Sequence, residues 1–401
     1  MNDPRAQAES VTLPAVGASV AALVLLLTTV GMGAVAVSYW SVDPSRCAFL
    51  YLTALVFVTS VSVGALAWLL ILNLTGSVWS VSLRRLLENL TRPLPWMALL
   101  FIPIAANLAR LYVWADAARV ATDPELARKS IWLNPTAFTV RTALYLATWA
   151  LVAGLLNRGS TRQDQTGDLA LVRRMRSTST WGLIAVALTS SFAASDWVMS
   201  LDPHWTSSIF GIYFWAGALV SAPAALILLV LALHAAGRLR QTVTVEHLHD
   251  LGKLLFGFVI FWAYIAFSQY FLICYANFPE ETRWYVVRRA GDWNTLSWAL
   301  VFGHFVVPFF LLLPRSMKRN RFWLGFVAAW VLVFHYADLY WLIMPSLHPA
   351  GPEPYRHVVA WPLTSAILCG WGAIVARACR TRPLVAIGDP RLSESIAFRN
   401  S

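Results

Sequence analysis

The chain has 401 residues, of which 58% are hydrophobic and only 13% charged, with a formal net charge of +11. Soluble proteins carry about 25% charged residues, so this composition excludes a string of soluble domains. It also removes the need for a nucleic-acid partner, because Arg-rich loops on one face of a membrane protein account for the positive balance.

A bilayer crossing takes about 20 mostly apolar residues. Ten stretches qualify in chain order: 16–39, 49–74, 94–114, 136–156, 180–201, 208–235, 251–276, 295–314, 322–344 and 358–378. The expected fold is all-α, a polytopic transmembrane protein of about ten helices forming one integral membrane domain over 1–401. A cytoplasmic segment 1–15 precedes the spans, and a cytoplasmic tail 379–401 follows them. The first run is trailed by Tyr39-Trp40 rather than by a small-residue cleavage site, so it reads as a retained span. Asp43-Pro44, Arg92-Pro93, Asn134-Pro135 and Pro314-Arg315 mark the breaks, and the longest loop, 157–179, is too short for a core.

Of the 31 Lys and Arg residues, 20 fall on the N-terminal side of this layout and 8 on the other. The positive-inside rule then places both termini in the cytoplasm. The 20 Trp residues suit aromatic belts at the membrane surfaces. Cys47, Cys274, Cys369 and Cys379 form no CxxC pair and read as apolar fillers.

The fifth and ninth spans end alike. Asp196 is followed by Ser200-Leu201-Asp202-Pro203, and Asp338 by Ser346-Leu347-His348-Pro349. Two similar four-helix bundles, spans 2–5 and 6–9, with a flanking helix at each end would explain the echo. The spacing differs by a gap, so a chance match is the alternative.

Ionisable groups in hydrocarbon are costly and mark functional candidates. Arg110, Arg141 and Asp196 are expected near the outer surface, and His304 in mid-span. His335 and Asp338 share a helix face at i, i+3. At the inner entrance of the seventh span come His247, His249, Asp250 and Lys253, with Tyr264 and Gln269 farther along. Titratable groups at both depths are what two proton half-channels need. Plainer readings stand beside this one. Arg110 and Arg141 fit anchors that snorkel to the interface, or charge partners for Asp196. The inner cluster fits a wet helix end, and the histidines fit satisfied core residues. A haem between His304 and His335 rests on two helical histidines alone. There is no Walker loop, GxGxxG, CxxCH or metal-spaced Cys/His set, so no metal, nucleotide or redox centre is expected on this chain.

Several motifs carry a family resemblance. Phe192-Ala193-Ala194-Ser195-Asp196-Trp197-Val198-Met199-Ser200-Leu201-Asp202-Pro203-His204-Trp205 is one, and Val245 to Phe256 and Phe261 to Tyr270 are others. Tyr275 to Thr282, Phe302-Gly303-His304-Phe305 and His335 to Trp341 continue the series. Over 180–350 the chain resembles the second quinol-binding-type membrane subunit, the F subunit, of bacterial alternative complex III, a polysulfide-reductase-like (NrfD-like) family. The first 180 residues match only in hydropathy and helix count. The resemblance implies ten helices around two four-helix bundles, within a complex that oxidises quinol, usually menaquinol, and passes electrons to cytochrome c or a terminal oxidase.

It also implies partners. These are a sister NrfD-like quinol-binding subunit, a periplasmic iron–sulfur/molybdopterin-like subunit, multihaem and monohaem c-type cytochromes, small membrane subunits and lipids. Haem c and iron–sulfur clusters belong to those partners, and this chain holds no cofactor. By the same resemblance His247, His249, Asp250 and Lys253 take up protons, while Asp196, His304, His335 and Asp338 carry them onward, extended by Tyr264 and Gln269. Three functions remain open: a non-redox, proton-conducting and supporting subunit in the bacterial cytoplasmic membrane; a subunit that itself oxidises quinol, with Trp197 and His204 facing the quinone beside Asp196; and a stand-alone secondary transporter.

Overall fold

The computed structural model describes residues 15–348 and 360–399. Arg5, Arg356, Pro349, the first residues of the tenth expected span and most of segment 1–15 lie outside them. The described residues are all-α with no strand, and nine of their helices are long and apolar enough to cross a membrane. Helices α1 (Ala15–Trp40), α2 (Pro44–Thr75), α3 (Val81–Thr91), α4 (Pro135–Thr166), α5 (Ala170–Trp197) and α6 (Phe210–Ala235) form the first part. Helices α7 (Val245–Ala276), α8 (Pro279–Arg288), α9 (Gly291–Leu312), α10 (Arg321–Ile343), α11 (Ala360–Thr381) and α12 (Leu392–Ile396) follow.

The helix starts follow local chemistry. Asp43 and Asn134 each cap a helix that opens with proline, where a missing N–H costs nothing. Gly76 and Gly167, both at φ +65°, close α2 and α4 in the left-handed conformation. Two expectations about boundaries are corrected. The loop 157–179 is mostly helix, because α4 runs on to Thr166 and α5 begins at Ala170. These polar residues are adequate helix formers, and only Gly167 interrupts them. Helix α7 begins at Val245, six residues before the apolar run, because Thr244 and His247 form a reciprocal capping box.

The third expected span, 94–114, is not a continuous helix. After α3 the chain proceeds as turns at 94–96, 97–100, 102–106, 108–111 and 113–115. Pro93, Pro95 and Pro103 withhold the N–H groups that a regular helix needs. Neighbours hold this segment in place: the Tyr51 hydroxyl donates to the Leu100 carbonyl (2.7 Å) and the Tyr112 hydroxyl to the Trp197 carbonyl (2.9 Å).

The helices group as α2, α3, α4 and α5 on one side and α6, α7, α9 and α10 on the other, joined where α2 packs on α6 and α10. Helices α1 and α11 pair with each other, and α11 leans on α2. Each bundle has a helix that closes in a 3₁₀ turn, Met199–Leu201 after α5 and Met344–Ser346 after α10. That is the structural counterpart of the echo in the sequence.

One end of the molecule, called here the tail side, is locked by residues 382–399 folding back under the helices. Arg84 donates to Asp389 (2.5 Å) and Gln163 (2.9 Å), and Arg85 pairs with Glu88 and Asp164. The Ser395 hydroxyl meets that of Ser82 (2.8 Å), and its carbonyl meets His247 Nε2 (3.0 Å). Gly388 crosses so close that a Cβ would lie 2.2 Å from the Gln163 carbonyl oxygen. Arg84, Arg85, Glu88 and Asp389 are all buried.

Burial pushes the Asp389 carboxyl up, but hydrogen bonding from Arg391 and the charge of Arg84 outweigh it and hold the group below its ordinary value. A carboxylate with a lowered folded value stabilises above its unfolded value, and that contribution is lost as pH falls through the folded one. The tail should therefore stay docked at neutral pH and release only in acid below the ordinary carboxylate range, seen as faster proteolysis of 384–399. Asp389→Asn should release it at neutral pH, with a cost of about 3–5 kcal/mol for breaking a buried pair.

Candidate functional site

Two buried carboxylates, one per bundle, organise the polar interior. Asp196 sits late in α5, at the end far from the tail. Arg141 of α4 grips it with two parallel bonds, Nε to Oδ2 (2.8 Å) and Nη2 to Oδ1 (2.9 Å). The Tyr145 hydroxyl donates to Oδ2 (2.8 Å) and the Trp132 indole to Oδ1 (3.1 Å). Arg141 also lies over the Trp132 ring, 4.1 Å from its centroid, and donates to the Trp132 carbonyl. Bidentate Arg–carboxylate geometry is the strong form of such a pair. Every lone-pair direction of Asp196 is occupied, which makes this group a clamp between α4, α5 and the 130–134 loop.

Arg110, the other expected partner, is exposed and donates to Asn107 (2.5 Å). Trp197 and His204 each meet partners other than those of Asp196. Trp197 is buried, its indole donating to Thr142 (3.0 Å). His204 lies at the exposed far side against Asp123 (2.7 Å).

Asp338 on α10 has a similar shell without the cation. The Tyr213 hydroxyl of α6 donates to Oδ1 (2.5 Å) and the Trp262 indole of α7 to Oδ2 (3.3 Å). No Lys or Arg among the described residues pairs with it, although it is 1% exposed. One turn back, His335 Nε2 meets the Ser60 hydroxyl of α2 (2.8 Å), and its Nδ1 has no hydrogen-bond partner. His304 is fully buried with both ring nitrogens unpartnered. Its ring lies 4.0 Å from that of Trp262 and 6.2 Å from that of His335, centroid to centroid. Asp338, Trp262, His304 and His335 therefore form one buried polar cluster where α2, α6, α7, α9 and α10 meet.

The backbone around His304 is adapted to this. Residues Val301–Val306 form a π-helical turn inside α9, an irregularity frequent at functional positions. The Trp330 indole donates to the Gly303 carbonyl (2.7 Å), and a Cβ on Gly303 would come within 2.0 Å of the Phe334 ring. Opposite, Gly217 of α6 admits the His335 ring; a Cβ there would lie 2.8 Å from Cε1.

On the tail side His247, His249 and Asp250 are buried in the first turns of α7, and Lys253 is ion-paired to Asp250. His247 is held by Thr244 and Ser395, whereas His249 Nδ1 has no partner. From Lys253 to Trp262 is about 13 Å along the helix. Leu255, Val259, Leu324, Val327 and Val331 are packed through that interval. Gln269 lies beyond the cluster, bonded to the Tyr285 hydroxyl (3.2 Å). Tyr264 is 65% exposed on the outside of α7 and joins neither group.

Tyr213 and Trp262 also line a cavity of 460 Å³ between α7, α8 and α9. Arg288, at its wall, is 3% exposed. It stacks on Trp284 (3.3 Å to the ring centroid) and donates to the carbonyls of Trp284, Trp341 and Leu342. Burial lowers its pKa to about 9, so it stays a cation at neutral pH.

Sequence reasoning missed the tail-side ion network and the aromatic donors to both aspartates. Arg84, Arg85 and Glu88 do carry an i, i+3/i+4 pairing signal, and Tyr145 stands one helical turn from Arg141. Tyr213 carries no such signal, because it meets Asp338 only across the bundle. Compared with known proteins, the chain matches no family model and no curated protein.

Arg141→Met should cost about 3–5 kcal/mol, since it leaves a buried carboxylate without its cation. Pairing it with Asp196→Leu should recover most of that loss in a thermal-unfolding double-mutant cycle, whereas additive losses would dissolve the clamp. Gly217→Val should displace His335 and cost about 1–3 kcal/mol of overpacking, measured the same way.

Proposed function

We propose that this chain is a non-redox membrane subunit of a quinol-oxidising respiratory complex of the alternative complex III type, providing structural support and part of a proton path. The observation that carries the proposal is the buried cluster of Asp338, His335 and His304. It holds a carboxylate bonded only to neutral donors and histidine nitrogens with no partner, and polar groups of this kind in a membrane interior mark proton relays. The resemblance of 180–350 to the F-type subunit supports it, since all three residues fall in the matching motifs. Asp196, clamped by Arg141, takes a supporting role instead.

In this reading the tail side faces the cytoplasm, where the Arg-rich loops cluster, and the membrane is the bacterial inner one. His247, His249, Asp250 and Lys253 collect protons there. Motion of side chains or entry of water across the Leu255–Val259 layer completes the route to Asp338. Quinol oxidation, with its haem c and iron–sulfur chemistry, belongs to the sister subunit and the peripheral partners.

Gentle purification of the tagged protein from native membranes, with mass spectrometry and haem absorbance, tests the assembly. Co-purifying c-type cytochromes and a large iron–sulfur protein are expected. A haem-free protein alone in the micelle would move the reading to a stand-alone transporter, for which the broken third crossing is the supporting feature. In the intact complex Asp338→Asn should preserve assembly and electron transfer while lowering protons translocated per electron by about half or more. An unchanged ratio would remove Asp338 from any proton path.

A further inference from the structure

The cavity between α7, α8 and α9 is graded from one end to the other. Its far-side end is formed by α8 and the first turns of α9, with Arg288, Arg289, Asn294 and Ser297 on its wall. Its deeper end is apolar, lined by Ala266, Val301 and Phe305. Phe267 and Val301 are also exposed on the outer surface of the helices, at 63% and 45%, so the slot opens sideways between α7 and α9, where acyl chains lie. Its volume of 460 Å³ is within the range of about 300–1,000 Å³ typical of ligand pockets.

Charge decides what kind of molecule suits it. Arg288 is buried, and no carboxylate among the described residues pairs with it. Its three bonds go to backbone carbonyls, which leaves two of the five guanidinium N–H groups uncommitted. The carboxylate that acts on Arg288, Asp202, does so only at a distance and not as an ion pair, so a close anionic partner would lower the cost of burying the cation. Arg289, beside it and exposed, adds a second positive charge at the mouth. Polar and cationic groups sit at interface depth, with an apolar slot running from them toward the bilayer centre. That is the polarity of a lipid, with the sign of an anionic one.

We propose that this cavity is a binding site for one anionic phospholipid, with its phosphate at Arg288 and Arg289 and one acyl chain in the slot past Ala266 and Val301. The proposal does not rest on the proton-conducting reading, although Tyr213 and Trp262 stand between this cavity and Asp338. Because the lipid would bridge α7, α8 and α9, it would stabilise the second bundle.

The test uses the full-length protein, in whatever complex it is purified with. After delipidation, phosphatidylglycerol in mixed micelles should raise the midpoint of thermal unfolding by about 5 °C. Phosphatidylethanolamine and inorganic phosphate should not. Native mass spectrometry should find one retained anionic phospholipid per chain. Ala266→Trp, which fills the slot from a partly exposed position, should lower that retention by about tenfold, and Arg289→Gln should weaken it. Arg288→Gln should abolish it, and the first two variants keep the test valid if that one fails to fold. Equal stabilisation by both phospholipids, stabilisation by phosphate alone, or full retention in Ala266→Trp would overturn the proposal.

Discussion

The close crossing of α2 and α6 is the constraint on which the rest of the structure depends. Between helices in a bilayer there is no hydrophobic drive to associate, because lipid tails are as apolar as the side chains. Contact has to come from close packing, and close packing needs small residues at the crossing. At Gly64 a Cβ would stand 2.0 Å from the Ala218 carbonyl oxygen, so only glycine lets the two backbones meet there. The Trp68 indole, one turn along, donates to the Leu219 carbonyl (3.0 Å) and fixes the register. Because α2 belongs to one bundle and α6 to the other, this crossing makes the two bundles one body. It also delivers Ser60 of α2 to His335 of α10.

The two aspartates show how one kind of environment supports two outcomes. Each receives a tyrosine hydroxyl and a tryptophan indole, and each precedes a 3₁₀ turn at the far side of its bundle. The difference is Arg141. With a guanidinium bonded in two places, Asp196 ties α4 to α5 and serves as a fastener. Without a cation, Asp338 is held in place by neutral donors beside two histidines. The second bundle therefore holds its buried carboxylate with neutral donors alone, and the first holds its own with a cation.

The tail side handles charge in a third way. Arg84, Arg85, Glu88 and Asp389 are buried together with the half-buried Asp164 beside them, so the desolvation cost is shared across a network rather than met by one pair. Through Ser395 the same network touches His247, so the fold-back of the tail joins α3 of the first bundle to the start of α7 in the second.

Much of this molecule was legible in the amino-acid order because the bilayer enforces simple rules. Long apolar runs have to be helices that satisfy their own backbone, so the helical class and most of the spans follow from hydropathy. Asp43-Pro44 and Asn134-Pro135 mark starts because capping and proline act within a few residues. Asp196 and Asp338 stand out because charge in an apolar run is costly. What the order of residues did not decide is who meets whom. Arg110 and Arg141 read alike in the sequence, yet tertiary packing brought Arg141 to Asp196 and left Arg110 exposed. Tyr213 and Trp262 became the partners of Asp338, and Tyr264 faced outward, through helix rotations set by contacts such as Gly217 with His335. The breaking of the third crossing was written in its prolines, but the neighbours that hold it, Tyr51 and Tyr112, were chosen by the fold. Local rules act over one or two turns and leave their trace in the chain, whereas pairing across a bundle depends on side-chain directions that only the packed structure specifies.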